Sequence, residues 1–193
     1  MAKASDEFVR PYGERLTFCL TSKETNGELL EMEVVYSPNS PRPPAHYHPS
    51  QEEHFEVLNG TLYAEIGGQR RTYEAGDSFT VPIGTHHWMH KTSSEFGKVI
   101  WQVRPTLKTE TFFETLWGLA IDEKTNDNGV PNLLQIAVLF REYDREFRLS
   151  KPPYPLQKII FTILAPIGRL LGYRAKYDEY SEPGTEFQTS GET

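Results

Sequence analysis

All six histidines of this 193-residue chain fall between positions 46 and 90: His46, His48, His54, His86, His87 and His90. Even scattering would leave most of them elsewhere. The densest part is Ala45-His46-Tyr47-His48-Pro49-Ser50-Gln51-Glu52-Glu53, answered further on by Gly84-Thr85-His86-His87. In an extended strand, residues i and i+2 point to the same face. His46 and His48 therefore aim both imidazoles at one point, and Tyr47 faces away. A carboxylate beyond a short turn and a histidine from another strand complete a set of three nitrogens and one oxygen. Such a set suits first-row transition metals.

The surrounding chain reads as many short strands. Arg15–Leu20 and Leu29–Tyr36 alternate apolar and polar residues, with Thr25-Asn26-Gly27 as a turn between them. Four prolines between Ser37 and Pro44 make a stiff loop. Strands follow at 53–58, 61–66, 70–73, 78–81, 87–91 and 97–104, punctuated by Asn59-Gly60, Gly67-Gly68, Ala75-Gly76-Asp77 and Pro82-Ile83-Gly84. This spacing predicts an antiparallel barrel or sandwich.

After Pro105 the period changes to that of helices. Thr111 and Glu114 form a capping-box pattern opening a helix that ends near Ile121. Pro131 suits the first turn of a second helix, striped by Leu133, Ile136, Ala137, Phe140, Tyr143 and Phe147. A third carries Leu156, Ile159, Ile160, Ile163, Leu164, Ile167, Leu170 and Leu171 on one face, with Pro166 inside it. The expected organisation is a barrel over 1–106, a helical extension over 107–176 and a disordered tail over 177–193.

Read as His46-x-His48-x₄-Glu53-x₆-Gly60, the first motif has the spacing of the first signature of the cupin superfamily. Gly76-x₅-Pro82-x-Gly84-x₂-His87 has that of the second. The chain thus resembles small single-domain cupins of the Cupin 2-like kind. The resemblance covers 40–91 tightly, extends loosely over 10–104, and leaves the helices untouched. It implies an all-β jelly-roll barrel with one divalent transition metal (Fe, Mn, Ni, Co or Zn) held by His46, His48, Glu53 and His87. Glu52 competes with Glu53, but only Glu53 keeps six residues before Gly60. Ser40 stands where the first signature has glycine, and Lys91 where the second ends in asparagine. Lys91 shares strand parity with His87 and is the candidate acid or base, against a plain salt bridge. A homodimer is expected from the resemblance alone.

His54, His86 and His90 are read as non-ligands: an outer-face residue, a loop residue, and a residue of opposite parity to His87. The leading function is a metal-dependent enzyme on a small organic substrate, of oxygenase or isomerase type. Its rivals are a non-catalytic binding or sensing module, and a structural barrel with an idle metal. The charge, 20 Lys+Arg against 27 Asp+Glu for a net of −7, argues against nucleic acid as a partner. One cysteine (Cys19), a polar first stretch and no long apolar run suggest a cytoplasmic protein. Residues 155–173 could touch a membrane, because basic residues surround the third stripe. Packing of that stripe on the barrel or on a second subunit is the favoured expectation.

Overall fold

The computed structural model describes residues 3–92 and 94–181. The strands are β1 (Glu7–Val9), β2 (Arg15–Leu20), β3 (Leu30–Tyr36), β4 (His46–Tyr47), β5 (Glu52–Asn59), β6 (Thr61–Ile66), β7 (Gln69–Glu74), β8 (Ser78–Val81), β9 (His87–Lys91), β10 (Gly97–Arg104) and β11 (Arg148–Leu149). The helices are α1 (Thr109–Ile121), α2 (Leu133–Glu142) and α3 (Tyr154–Leu170). One sheet has the order β1-β2-β3-β10-β5-β8 and the other β11-β4-β9-β6-β7, and the strand pairings are antiparallel.

Strand alternation decides what enters the barrel. Leu30, Met32 and Val34 on β3 face inward, as do Phe55 and Val57 on β5, Leu62 and Ala64 on β6, and Met89 on β9. One core therefore draws on both sheets, which is the closed jelly-roll arrangement expected. The same parity carries Glu53 and His87 inward, at the first inward positions of β5 and β9.

The helices complete this core. Trp117 of α1 is buried in the barrel cluster, with Phe113 and Leu116 packed against it. The Arg10 guanidinium lies 4.1 Å from the Trp117 ring centroid. Two local expectations change. The Thr111–Glu114 capping box is not formed: α1 starts at Thr109, and its N-cap Lys108 makes no side-chain cap bond. Glu114 is instead buried within the helix and accepts a hydrogen bond from Ser181 Oγ at 2.6 Å. In α2 the cap is Asn132, whose side chain accepts from the Leu134 and Gln135 N–H groups, so Pro131 stands just outside the helix.

The third stripe differs from its expectation. Phe161, Ala165 and Gly168 pack toward α2, Gln157 is buried against the Leu149 and Pro152 carbonyls, and most of the Leu/Ile stripe points away from the protein. The segment expected to be disordered from 177 is ordered as far as Ser181. It holds a 3-10 turn at Asp178–Tyr180, with Tyr180 buried. Residues 182–193 of that expected tail lie outside the described residues.

Candidate metal centre

His46 is in β4 and His48 follows it. The strand is held to two residues by the prolines at 44 and 49. β4 pairs with β9 so that His46 lies opposite His87. The three rings face one another, with centroids 5.1 Å apart for His46 and His48, 4.3 Å for His46 and His87, and 5.3 Å for His48 and His87. One ring nitrogen from each lies within 4.8 Å of the others. Tyr47 points the other way and stacks on His86.

Each ring is held by its Nδ1. That atom lies 2.8 Å from the Pro44 carbonyl in His46, 2.6 Å from the Glu146 carbonyl in His48, and 3.0 Å from the Thr85 carbonyl in His87. A carbonyl only accepts, so the hydrogen belongs to Nδ1 and the neutral ring presents a bare lone pair at Nε2. Two of these nitrogens face Glu53. His48 Nε2 is 3.2 Å from its Oε1 and His87 Nε2 is 3.0 Å from its Oε2. Trp101 Nε1–H donates to Oε1 at 3.0 Å, which leaves Oε2 unclaimed by the indole. The distances are those of ion pairs, but His48 Nε2 and Glu53 Oε2 lack a hydrogen-bond partner.

Glu53 is 1% exposed and His87 2%. Lone pairs facing a carboxylate in a dry interior repel unless a proton on Nε2 or a metal ion sits among them. Burial pushes the Glu53 carboxyl up, but His48 and His87 outweigh it and hold the group well below the carboxylate range. Burial alone would lower His48; the Glu53 carboxylate and the Glu146 carbonyl reverse this and raise it. His46 is held well below the imidazole range by burial, then by His87 and His48. Its Nε2 is therefore a neutral donor at neutral pH. Three imidazoles, an adjacent carboxylate and orphaned buried donor atoms fit a divalent transition metal.

The structure thus brings His46, His48, Glu53 and His87 together and leaves Glu52 exposed on the outer face. It does not bring Lys91 to them. Lys91 ends β9, roughly 13 Å along the strand from His87, with its methylenes beside Gly97. The other histidines are engaged elsewhere. His54 Nδ1 meets Thr80 Oγ1, His86 Nδ1 meets Ser150 Oγ, and His90 stacks on Trp88.

Sequence reasoning missed the roof of the site. β11 pairs with β4, placing Leu149 opposite His46. Phe147, just before β11, stacks on His46 at 4.7 Å and meets the His48 ring edge-on at 6.0 Å. The Glu146 side chain anchors this strap by accepting from the Lys108 N–H at 3.1 Å, at the start of α1. No local pattern announces a contact across 98 residues. Trp101 was findable, because it lies opposite both Phe55 and Met32 and so shares the inward parity of the core.

A family model described as "Cupin domain" matches residues 32–103. The protein named "Probable oxidoreductase virH" of Hypocrea virens is 30% identical over 183 residues, covering 84% of this chain and 81% of that protein. The chain belongs to the cupin superfamily. This cupin is also 32% identical to "Probable oxidoreductase yanE" of Aspergillus niger over 157 residues, 72% of this chain and 59% of that protein. The chain thus spans about three fifths of the length of that relative. An RmlC-like cupin crystal structure from Shewanella frigidimarina is 19% identical with a TM-score of 0.47, covering 55% of this chain and 88% of that one.

Proposed function

We infer that this cupin is a metal-dependent oxidoreductase acting on a small oxygenated organic molecule. His46, His48 and His87 would hold one divalent transition metal through Nε2, and Glu53 through Oε2. The observation that carries this reading is the buried cluster whose Nδ1 atoms are spent on carbonyls, leaving His48 Nε2 and Glu53 Oε2 without a hydrogen-bond partner. The relatives' names support redox chemistry over isomerisation. On a five- or six-coordinate metal, four protein ligands leave one or two positions open, where the ion would polarise an oxygen-bearing substrate or, if redox-active, activate oxygen.

The chain's own contribution is to orient and exclude. Carbonyls at Pro44, Thr85 and Glu146 fix the imidazole tautomers, Trp101 fixes the carboxylate, and Phe147 covers the His46 ring against water. A second reading, a binding module without turnover, is favoured by one observation: Lys91, the acid or base expected from parity, sits at the far end of β9.

Metal analysis of the purified protein tests the first claim. A stoichiometric transition metal is expected, lost in His48→Ala. Absence of metal, or an unchanged content in the variant, sinks it. Oxygen uptake over a panel of diols and enols then separates the two readings, because the binding module retains metal and consumes nothing.

A further inference from the structure

α3 has two apolar faces, and one is left uncovered. Phe161, Ala165 and Gly168 are buried toward α2, and Gln157 toward the Leu149 and Pro152 carbonyls. Leu156, Ile159, Ile163, Ile167, Leu170 and Leu171 are 44% to 87% exposed. Steps of three and four return to one side of a helix, so these six form a continuous strip. Its apolar area is on the order of 600 Å², at the upper end of what a monomer exposes without using it. Among the described residues, no helix is long and apolar enough to cross a membrane. A strip of this kind therefore lies on a surface rather than spanning one.

Charge identifies the surface. From Phe147 to Tyr177 the chain has six Lys/Arg and no Asp/Glu, in a protein whose net charge is −7. Arg148, Arg169 and Lys176 pair with Asp144, Glu142 and Asp178, all outside that stretch. Lys151 and Arg174, near the two ends of α3, are exposed and form no ion pair among the described residues, whereas Lys158 lies across the helix from the strip, on the side of Phe140 and Asp144. A second copy laid on the strip would bring the same unpaired cations, while Glu142, Asp144 and Asp178 are already engaged by Arg169, Arg148 and Lys176, and like charges brought together oppose association. Residues 182–193 of the chain offer one large apolar side chain, Phe187, against six.

We propose that α3 docks this protein on an anionic lipid surface. The Leu156–Leu171 strip enters the headgroup–acyl boundary, and Lys151 and Arg174, near the two ends of α3, meet the lipid charges. Apolar burial and basic attraction add at such an interface, and either alone binds weakly.

Co-flotation of the full-length protein with vesicles tests this. Phosphatidylcholine vesicles containing phosphatidylserine should carry the protein up, and pure phosphatidylcholine vesicles should not. Raised salt should weaken the binding, because the cations are exposed. An Ile159→Glu/Ile163→Glu double variant should lose about tenfold or more in partitioning, with an unchanged circular dichroism spectrum because both side chains already face out. A Lys151→Glu/Arg174→Glu variant should lose the preference for anionic vesicles. Absence of flotation, equal flotation on neutral vesicles, or flotation unchanged in the Ile variant overturns the proposal. Light scattering on the vesicle-free protein decides for the competing occupant. A dimer that Ile159→Glu/Ile163→Glu splits assigns the strip to a second copy and overturns the lipid reading.

Discussion

Trp101 does for Glu53 what the Pro44, Thr85 and Glu146 carbonyls do for the three imidazoles: it settles which atom is left free. Its N–H occupies Oε1, so Oε2 faces His87 without an indole partner. Trp101→Phe keeps a ring stacked against Phe55 but frees Oε1 to rotate. Metal affinity should fall about tenfold, the usual scale for losing such an orienting bond, and competition with a chromophoric chelator measures it. Unchanged affinity would mean that the carboxylate is positioned by the histidines alone. Phe147 acts on access instead. Phe147→Ala removes the ring stacked on His46 and should speed metal loss to a chelator while leaving the donor set intact. A half-buried aromatic of this kind also contributes about 2 kcal/mol to stability, below the 3–5 of a full core position.

At the level of elements, close approach sets the packing. A Cβ on Gly118 of α1 would fall within the ring of Tyr180, so the 3-10 turn docks on a position only glycine can hold. Gly118→Ala should cost about 2 kcal/mol by overpacking, read as a lower urea midpoint, and should expose Tyr180 to solvent quenching. What the sequence disclosed follows the same division. The strands were legible because period-two alternation is a local property. Glu53 could be told from Glu52 by its distance to Gly60, and His87 was reached by a second spacing. Phe147 and the Glu146 carbonyl were not legible, since they reach the site only through the pairing of β11 with β4. The α3 stripe shows a different limit. Helical periodicity reports that a face is apolar, not what covers it, and in α3 Phe161 with the small residues Ala165 and Gly168 faces α2. The missing capping box follows from tertiary bonding too, because Glu114 is drawn to Ser181.

For the whole molecule, the barrel and the helices are tied at several places. Trp117 lies in the barrel core, β11 is a strand of the five-stranded sheet, and the Glu146 carbonyl holds a candidate ligand. The candidate metal centre itself joins β4, β5 and β9, which belong to both sheets. An ion bound there is linked to the folding of barrel and strap together, so it should stabilise one cooperative unit. At a free metal concentration a thousand times Kd, this linkage adds about 4 kcal/mol. For a chain of this size that corresponds to roughly 10 °C in Tm. Chelation should therefore lower a single melting transition by that order, with the helical signal in the far ultraviolet and the aromatic signal in the near ultraviolet moving together. If the aromatic transition moves and the helical one stays, the strap is not coupled to the centre, and His48 is held by a segment that unfolds independently of it.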